Sequence, residues 1–231
     1  MCGRFTLRTS PQKLLENFGV AFPEVVPRYN IAPTQLVLAV RATPAGTGRQ
    51  AAAFRWGLIP SWAKDLKIGA KSINARAETL AEKPMFRAAL KRRRCLVLAD
   101  GYYEWRTAGK AKQPYHFRYK DQRPFAFAGL WEAWRGPEGN DPPLESCTII
   151  TTAARGIAAT LHERMPVIIP PGDYDRWISS LSLDAAELES LLHPNLQDEL
   201  IPVPVSTLVN SVKNDRPECL QPADPLFSGL E

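Results

Sequence analysis

Apolar residues in this chain gather in short runs separated by turn formers. The runs are "QLVLAV" (35–40), "AAAFRWGLI" (51–59), "RCLVLAD" (94–100), "PYHFRY" (114–119), "FAFAGLWEAW" (125–134), "SCTIITT" (146–152), "MPVII" (165–169) and "IPVPVS" (201–206). Their Val, Ile, Phe and Tyr content, bounded by Gly, Pro and Asp, predicts strands. "AGKAK" (108–112) and "RYKDQRPF" (118–125) read as hairpin connections, and "RGPEGNDPP" (135–143) as a surface loop. Helical spacing is rarer. In "SPQKLLENF", Leu14, Leu15 and Phe18 share a face behind Ser10 as N-cap and Pro11 at the first helical position. "KPMFRAALKRR" is compatible with a helix opening near Pro84. "SLDAAELESLLHP" predicts one from the Ser182 cap to a stop before Pro194, and "ARGIAATLH" a shorter one. The pattern predicts a single α+β domain over residues 2–216, built on a mainly antiparallel, barrel-like sheet with short flanking helices. Prolines recur after residue 216, which predicts a loosely attached tail, 217–231.

Composition adds exclusions. The 231 residues, 45% apolar and 23% charged, suit one substantial core, and 21 prolines favour turns over long helices. No apolar run approaches the roughly 18–20 residues that span a bilayer. Arg4 and Arg8 fall where a secretory apolar region would form. Cys2, Cys95, Cys147 and Cys219 are scattered without a CxxC pair, and there are three histidines, which argues against structural zinc and for a reduced, cytoplasmic protein. The formal charge of +5 conceals a division. Residues 1–130 hold 23 basic against 8 acidic side chains, net +15, while residues 131–231 hold 6 against 16, net −10. A basic face of that kind attracts a polyanion, and it is equally the mark of a plainly solvated surface.

Several polar residues stand where an apolar pattern does not call for them. In "KSINARAET", an extended segment puts Asn74 and Arg76 on one face; a braced loop and a surface ion pair account for them as well. In "LVLADGYYEW", Glu104 follows an apolar run among aromatics, where desolvation raises a carboxyl into the range of a proton donor. In "TLHERMPVII", His162 is a candidate proton shuttle; His116 reads as one tooth of a strand and His193 as a helix-end residue. Trp56 and Trp62 flank Gly57 and Pro60, as stacking platforms for unpaired bases or as core plugs. Cys2 lies directly behind Met1. Trimming of Met1 would leave an α-amine and a thiol on adjacent carbons, with reference pKa values near ~8 and ~8.5; the plainer reading is a small residue opening a strand.

"MCGRF", "RYNIAPTQ", "RWGLIPSW", "INARAET", "GYYEW", "TTAA", "LHERMPVII" and "VNSVKN" resemble, in order, the motifs of the SOS response-associated peptidase family, whose members include the eukaryotic shield of abasic sites in single-stranded DNA. The resemblance covers residues 2 to about 214. It implies a β-rich, monomeric domain that forms a covalent thiazolidine crosslink with abasic sites through Cys2. By the same resemblance Asn74 orients the cysteine and the opened sugar, Glu104 is the active-site glutamate, and His162 serves sugar opening and crosslink reversal. It places Arg4, Arg76 and Arg164 on phosphates, and Trp56, Leu58, Pro60 and Trp62 at a DNA-binding corner. It implies no metal and no organic cofactor. The alternatives are a thiol peptidase, with Cys2 and His162 acting on a peptide such as its own Met1 and no DNA substrate, and a non-catalytic nucleic-acid binding module.

Overall fold

Five of the apolar strands close on one another. In the computed structural model, which describes residues 2–46, 48–108, 111–139, 142–193 and 200–223, the strands are β1 (Phe5–Leu7), β2 (Arg28–Ile31), β3 (Leu36–Ala42), β4 (Arg49–Trp56), β5 (Asn74–Arg76), β6 (Arg94–Ala99), β7 (Gly101–Ala108), β8 (Ala111–Tyr119), β9 (Phe125–Trp134), β10 (Leu144–Ala153), β11 (Arg164–Pro166), β12 (Ile168–Ile169) and β13 (Leu200–Pro204). The helices are α1 (Pro11–Phe18), α2 (Pro84–Arg92), α3 (Tyr174–Ile178) and α4 (Ala185–Leu192). Antiparallel pairings run β4–β3–β6–β9–β10, and the ring closes where Cys147 of β10 lies parallel to Trp56 of β4. β6 is buried at every position, as a strand packed on both faces must be. The fold is α+β, with a closed five-stranded barrel and flanking helices.

A second sheet, in the order β13–β8–β7–β1–β2, covers the barrel. Phe5 joins the two layers: its ring meets Trp56 of the barrel edge-on at 5.1 Å and Phe127 at 5.7 Å. Tyr102 stacks on Phe117 at 4.9 Å and presents its edge to Phe127. Chain continuity between the layers runs through Asp100 and Gly101, where β6 leaves the barrel and becomes β7. The buried Asp100 carboxylate fixes this corner by accepting from the Thr6 hydroxyl at 2.6 Å and from the backbone N–H groups of Arg8 and Thr9. Glycine follows because a Cβ there would stand 2.0 Å from His116 Nε2. Gly101→Ala is therefore expected to lower stability by about 1–3 kcal/mol through overpacking. A urea midpoint measurement reads it, and shortening the buried ring as well (His116→Ser) should restore part of the loss.

Most of the expected elements form, with informative exceptions. "RYKDQRPF" is not a hairpin: β8 is flanked by β7 and β13 on both edges, so the chain crosses to the other sheet before β9 begins. "MPVII" divides at Val167, whose N–H goes to Ile150 while its carbonyl receives Ala128, so β11 lies on β10 and β12 on β9. "ARGIAATLH" yields only a 3-10 turn, Gly156–Thr160. The chain is still attached at the start of the expected tail: Pro217–Leu220 forms a turn that buries Cys219, and Val205 bridges Pro222. The remainder of that tail, 224–231, lies outside the described residues. In the basic run at 91–94, Arg93 pairs with Glu132. Arg94 turns inward and donates to the carbonyls of Leu90, Trp177, Ser179 and Leu181, tying α2 and α3 to the barrel. No helix of the described residues is long and apolar enough to cross a membrane.

Candidate active site

The start of the chain is held as an interior strand. β1 pairs antiparallel with β2 on one side and β7 on the other, with Phe5 opposite Tyr102, and the Tyr103 N–H donates to the Arg4 carbonyl at 3.0 Å. This pairing carries Cys2 and Gly3 alongside the stretch of β7 that bears Glu104. Cys2 is fully buried, and its carbonyl accepts from Asn74 Nδ2 at 2.8 Å. Asn74 is delivered by the parallel register of β5 on β10, where it lies opposite Ile149. Its own Oδ1 is buried and has no hydrogen-bond partner among the described residues, an acceptor left over at the side of Cys2.

Electrostatics separate the groups. Burial, reinforced by the nearby charge of Glu104, pushes the Cys2 thiol up, so it is neutral at physiological pH; a smaller opposing effect comes from the Arg4 backbone N–H. Burial also raises the Glu104 carboxyl, to about 7. An acid poised there exchanges protons readily at neutrality. His162 is held below its ordinary value, mainly by burial. Its Nδ1 accepts from the Arg164 N–H at 2.9 Å, which leaves the imidazole proton on Nε2. Glu104 and His162 line one cleft of about 620 Å³, together with Gly3 and Arg4.

The arginines differ from one another. Arg4 donates from Nη1 to Asn30 Oδ1 and to the Val209 carbonyl, both at 2.9 Å, and its guanidinium lies 5.9 Å over the Trp105 ring. Arg76 is exposed at the end of β5. Arg164 is engaged by Glu78 and by the Thr151 carbonyl. The tryptophan corner is mostly interior. Trp56 is fully buried, with its indole N–H on the Ile73 carbonyl, and Leu58 and Pro60 are buried too. None of the three offers a face to a base; they support the corner from beneath. The cause lies in Gly57, which takes a φ of +126° with the Gly69 carbonyl 2.5 Å from where a Cβ would be, so the chain folds inward on both sides of it. Trp62, 60% exposed, is the ring that remains on the surface. His116 is buried, with its pKa pushed down to about 3 by burial, and His193 ends α4 beside Thr152. No group of three or more His, Cys, Asp or Glu that suits a metal ion occurs among the described residues.

A family model described as "SOS response associated peptidase (SRAP)" matches residues 1–212. The chain belongs to the SRAP family. Among its relatives, the abasic site processing protein YoqW of Bacillus subtilis is 46% identical over 226 residues, covering 96% of this chain and 99% of the relative. The abasic site processing protein HMCES of Gallus gallus is 35% identical over 194 residues, 74% of this chain and 57% of that longer protein. A crystal structure of a Bacteroides thetaiotaomicron protein superposes with a TM-score of 0.83 at 26% identity, covering 96% of this chain and all of the other. SRAP membership thus associates the chain with abasic-site processing. Sequence reading assigned no role to four further residues of this cleft: Trp105, Thr107, Lys112 and Asn210. The hairpin expected at "AGKAK" forms between β7 and β8 and sets Lys112 opposite Thr107. Asn210 accepts from the Trp105 indole at 2.7 Å, a contact across 105 positions that no local pattern announces.

Proposed function

We propose that this protein recognises abasic sites in single-stranded DNA and, once Met1 is removed, captures them covalently through Cys2. One observation carries the reading: Asn74 fastens the Cys2 main chain beside a cleft that holds Glu104 and His162. An abasic deoxyribose is mostly a closed hemiacetal. Protonation of the ring oxygen by Glu104, with His162 receiving the hydroxyl proton, opens it to the aldehyde. The Cys2 amine adds to that carbon and water leaves, giving an imine. The iminium charge beside the thiol then favours its ionisation, and sulfur adds to the same carbon while nitrogen keeps a proton. The product is a five-membered thiazolidine, with one water lost overall. Holding both groups on one residue makes the second step intramolecular, worth an effective molarity on the order of 10⁵ M or more.

The basic surplus of the first half supplies sequence-independent affinity for phosphates, which suits a lesion that arises anywhere. The exposure of Trp62 supports a role for its ring in stacking a flanking base. A thiol peptidase would call for a thiolate beside a cationic histidine, whereas burial here keeps the Cys2 thiol protonated and His162 neutral. The test is the intact mass of the purified protein after incubation with an abasic oligonucleotide and with its unmodified counterpart. The expected result is a chain lacking Met1 that gains the abasic strand less one water, and gains nothing from the intact strand. A chain that keeps Met1, or gains neither strand, overturns the reading.

A further inference from the structure

Two arginines converge on Thr151, and one of them already holds an anion. Arg76 ends β5 opposite Thr151 of β10, exposed to solvent. Arg164 begins β11 on the other side of β10 and donates Nη2 to the Thr151 carbonyl at 2.6 Å. Its outer edge is filled by Glu78: Nη1 meets Oε1 at 2.7 Å and Nη2 meets Oε2 at 2.9 Å. A guanidinium takes a phosphate in this same two-pronged geometry. Burial is uneven, with the Arg164 side chain 11% exposed and that of Glu78 44% exposed. The arginine is therefore fixed in the wall and the carboxylate lies on the solvent side, where such a pair is weakly held. The bond to Arg164 keeps the Glu78 carboxyl below the usual range, so it is charged at neutrality. Glu78 itself rides on a short turn, Ala77–Thr79, that no side chain caps.

We propose that Glu78 is an internal stand-in for a strand phosphate, seated on Arg164 in the unbound protein and displaced when the DNA backbone docks across Arg76 and Arg164. The proposal rests on single-stranded DNA being the ligand. Displacement exchanges one anion for another, so an isolated phosphate gains little at this point. A strand that also engages Arg76 and the cleft supplies the difference. Glu78 thereby sets a threshold that favours a continuous backbone over stray anions.

The experiment measures reversible binding of a fluorescent, non-abasic single-stranded oligonucleotide by anisotropy over a series of salt concentrations. It compares the unaltered protein, Glu78→Gln, Arg164→Gln and the double variant. Because the strand is intact, no crosslink enters. Glu78→Gln is expected to tighten binding by roughly 2–5-fold, the scale of removing one competing charge contact. Arg164→Gln is expected to flatten the slope of log K against log salt by about 0.7, the value of one single-strand phosphate contact. The double variant is expected to behave as Arg164→Gln alone. An unchanged slope in Arg164→Gln, weaker binding in Glu78→Gln, or a gain that survives in the double variant each overturns the proposal. Melting temperatures accompany every variant; if Arg164→Gln does not fold, Arg164→Lys, which keeps the charge without the fork, completes the cycle. Absence of binding by the unaltered protein would instead remove the reading of function on which this rests.

Discussion

Cys2→Ala is expected to abolish the adduct that survives denaturation while leaving reversible affinity for single-stranded DNA within about two-fold. Alanine keeps the α-amine after Met1 is trimmed, so an imine with the abasic aldehyde still forms. Without sulfur nothing closes the ring, and the imine either hydrolyses or proceeds to β-elimination and strand breakage. Borohydride should therefore trap a product with Cys2→Ala that a denaturing gel misses without the reductant. Cys2→Ser separates sulfur chemistry from mere shape: its hydroxyl is a far weaker nucleophile, and the intramolecular advantage of on the order of 10⁵ M acts on much less reactive material. The serine variant should yield a small fraction of the stable adduct. Substantial heat-stable adduct from Cys2→Ala in the absence of reductant would remove the cysteine from the chemistry. The basic surface proposed to bind phosphates is untouched in both variants, so lost affinity would point to misplacement of β1 instead.

The second large effect concerns pH. In the proposed mechanism, ring opening uses the protonated form of Glu104, which burial keeps available up to about pH 7. Attack uses the unprotonated amine, whose reference pKa is near ~8. The two required forms coexist best between those values, so the rate of adduct formation should trace a bell with its maximum near about pH 7.5. Glu104→Gln keeps the size and polarity of the side chain but not its exchangeable acid. A loss of roughly 10²–10⁴-fold in rate is expected, and the alkaline limb should vanish so that the remaining rate only rises with pH. Stability gives an independent check of the same carboxyl. The unfolded chain releases the proton near the ordinary value of 4.5, the folded protein only near about 7. Between those values the folded form binds the extra proton, so the carboxyl contributes a loss of stability as pH rises through the window. Glu104→Gln should remove that loss, leaving the variant up to about 3 kcal/mol more stable than the unaltered protein at pH 8. Parallel denaturation curves at pH 5 and pH 8 measure it, and an identical pH dependence in the two proteins would refute the raised carboxyl.

Barrel strands were legible because burial on both faces leaves a continuous apolar signature, as in "RCLVLAD" and "FAFAGLWEAW". β1 was not, because three residues carry no period, and its place between β2 and β7 is decided by partners distant in sequence. The misread hairpin after β8 has the same origin: turn residues state that the chain reverses, not which sheet receives it. Asn74, Glu104 and His162 stood out as polar residues in apolar surroundings. Trp56 was ambiguous because a plug and a platform have the same composition, and only the backbone at Gly57 separates them. Arg164 illustrates a further limit. Counting charges treats every arginine as open surface, and the carboxylate that occupies this one lies 86 positions away.

Phe5 pairs with Tyr102, so the strand that opens the chain has no neighbour on that side until nearly a hundred further residues have been made. On a ribosome the first residues therefore emerge long before anything exists to sequester them. Once β7 arrives, Cys2 is buried beside the cleft, so the trimming of Met1 that the proposed chemistry requires is expected to precede folding.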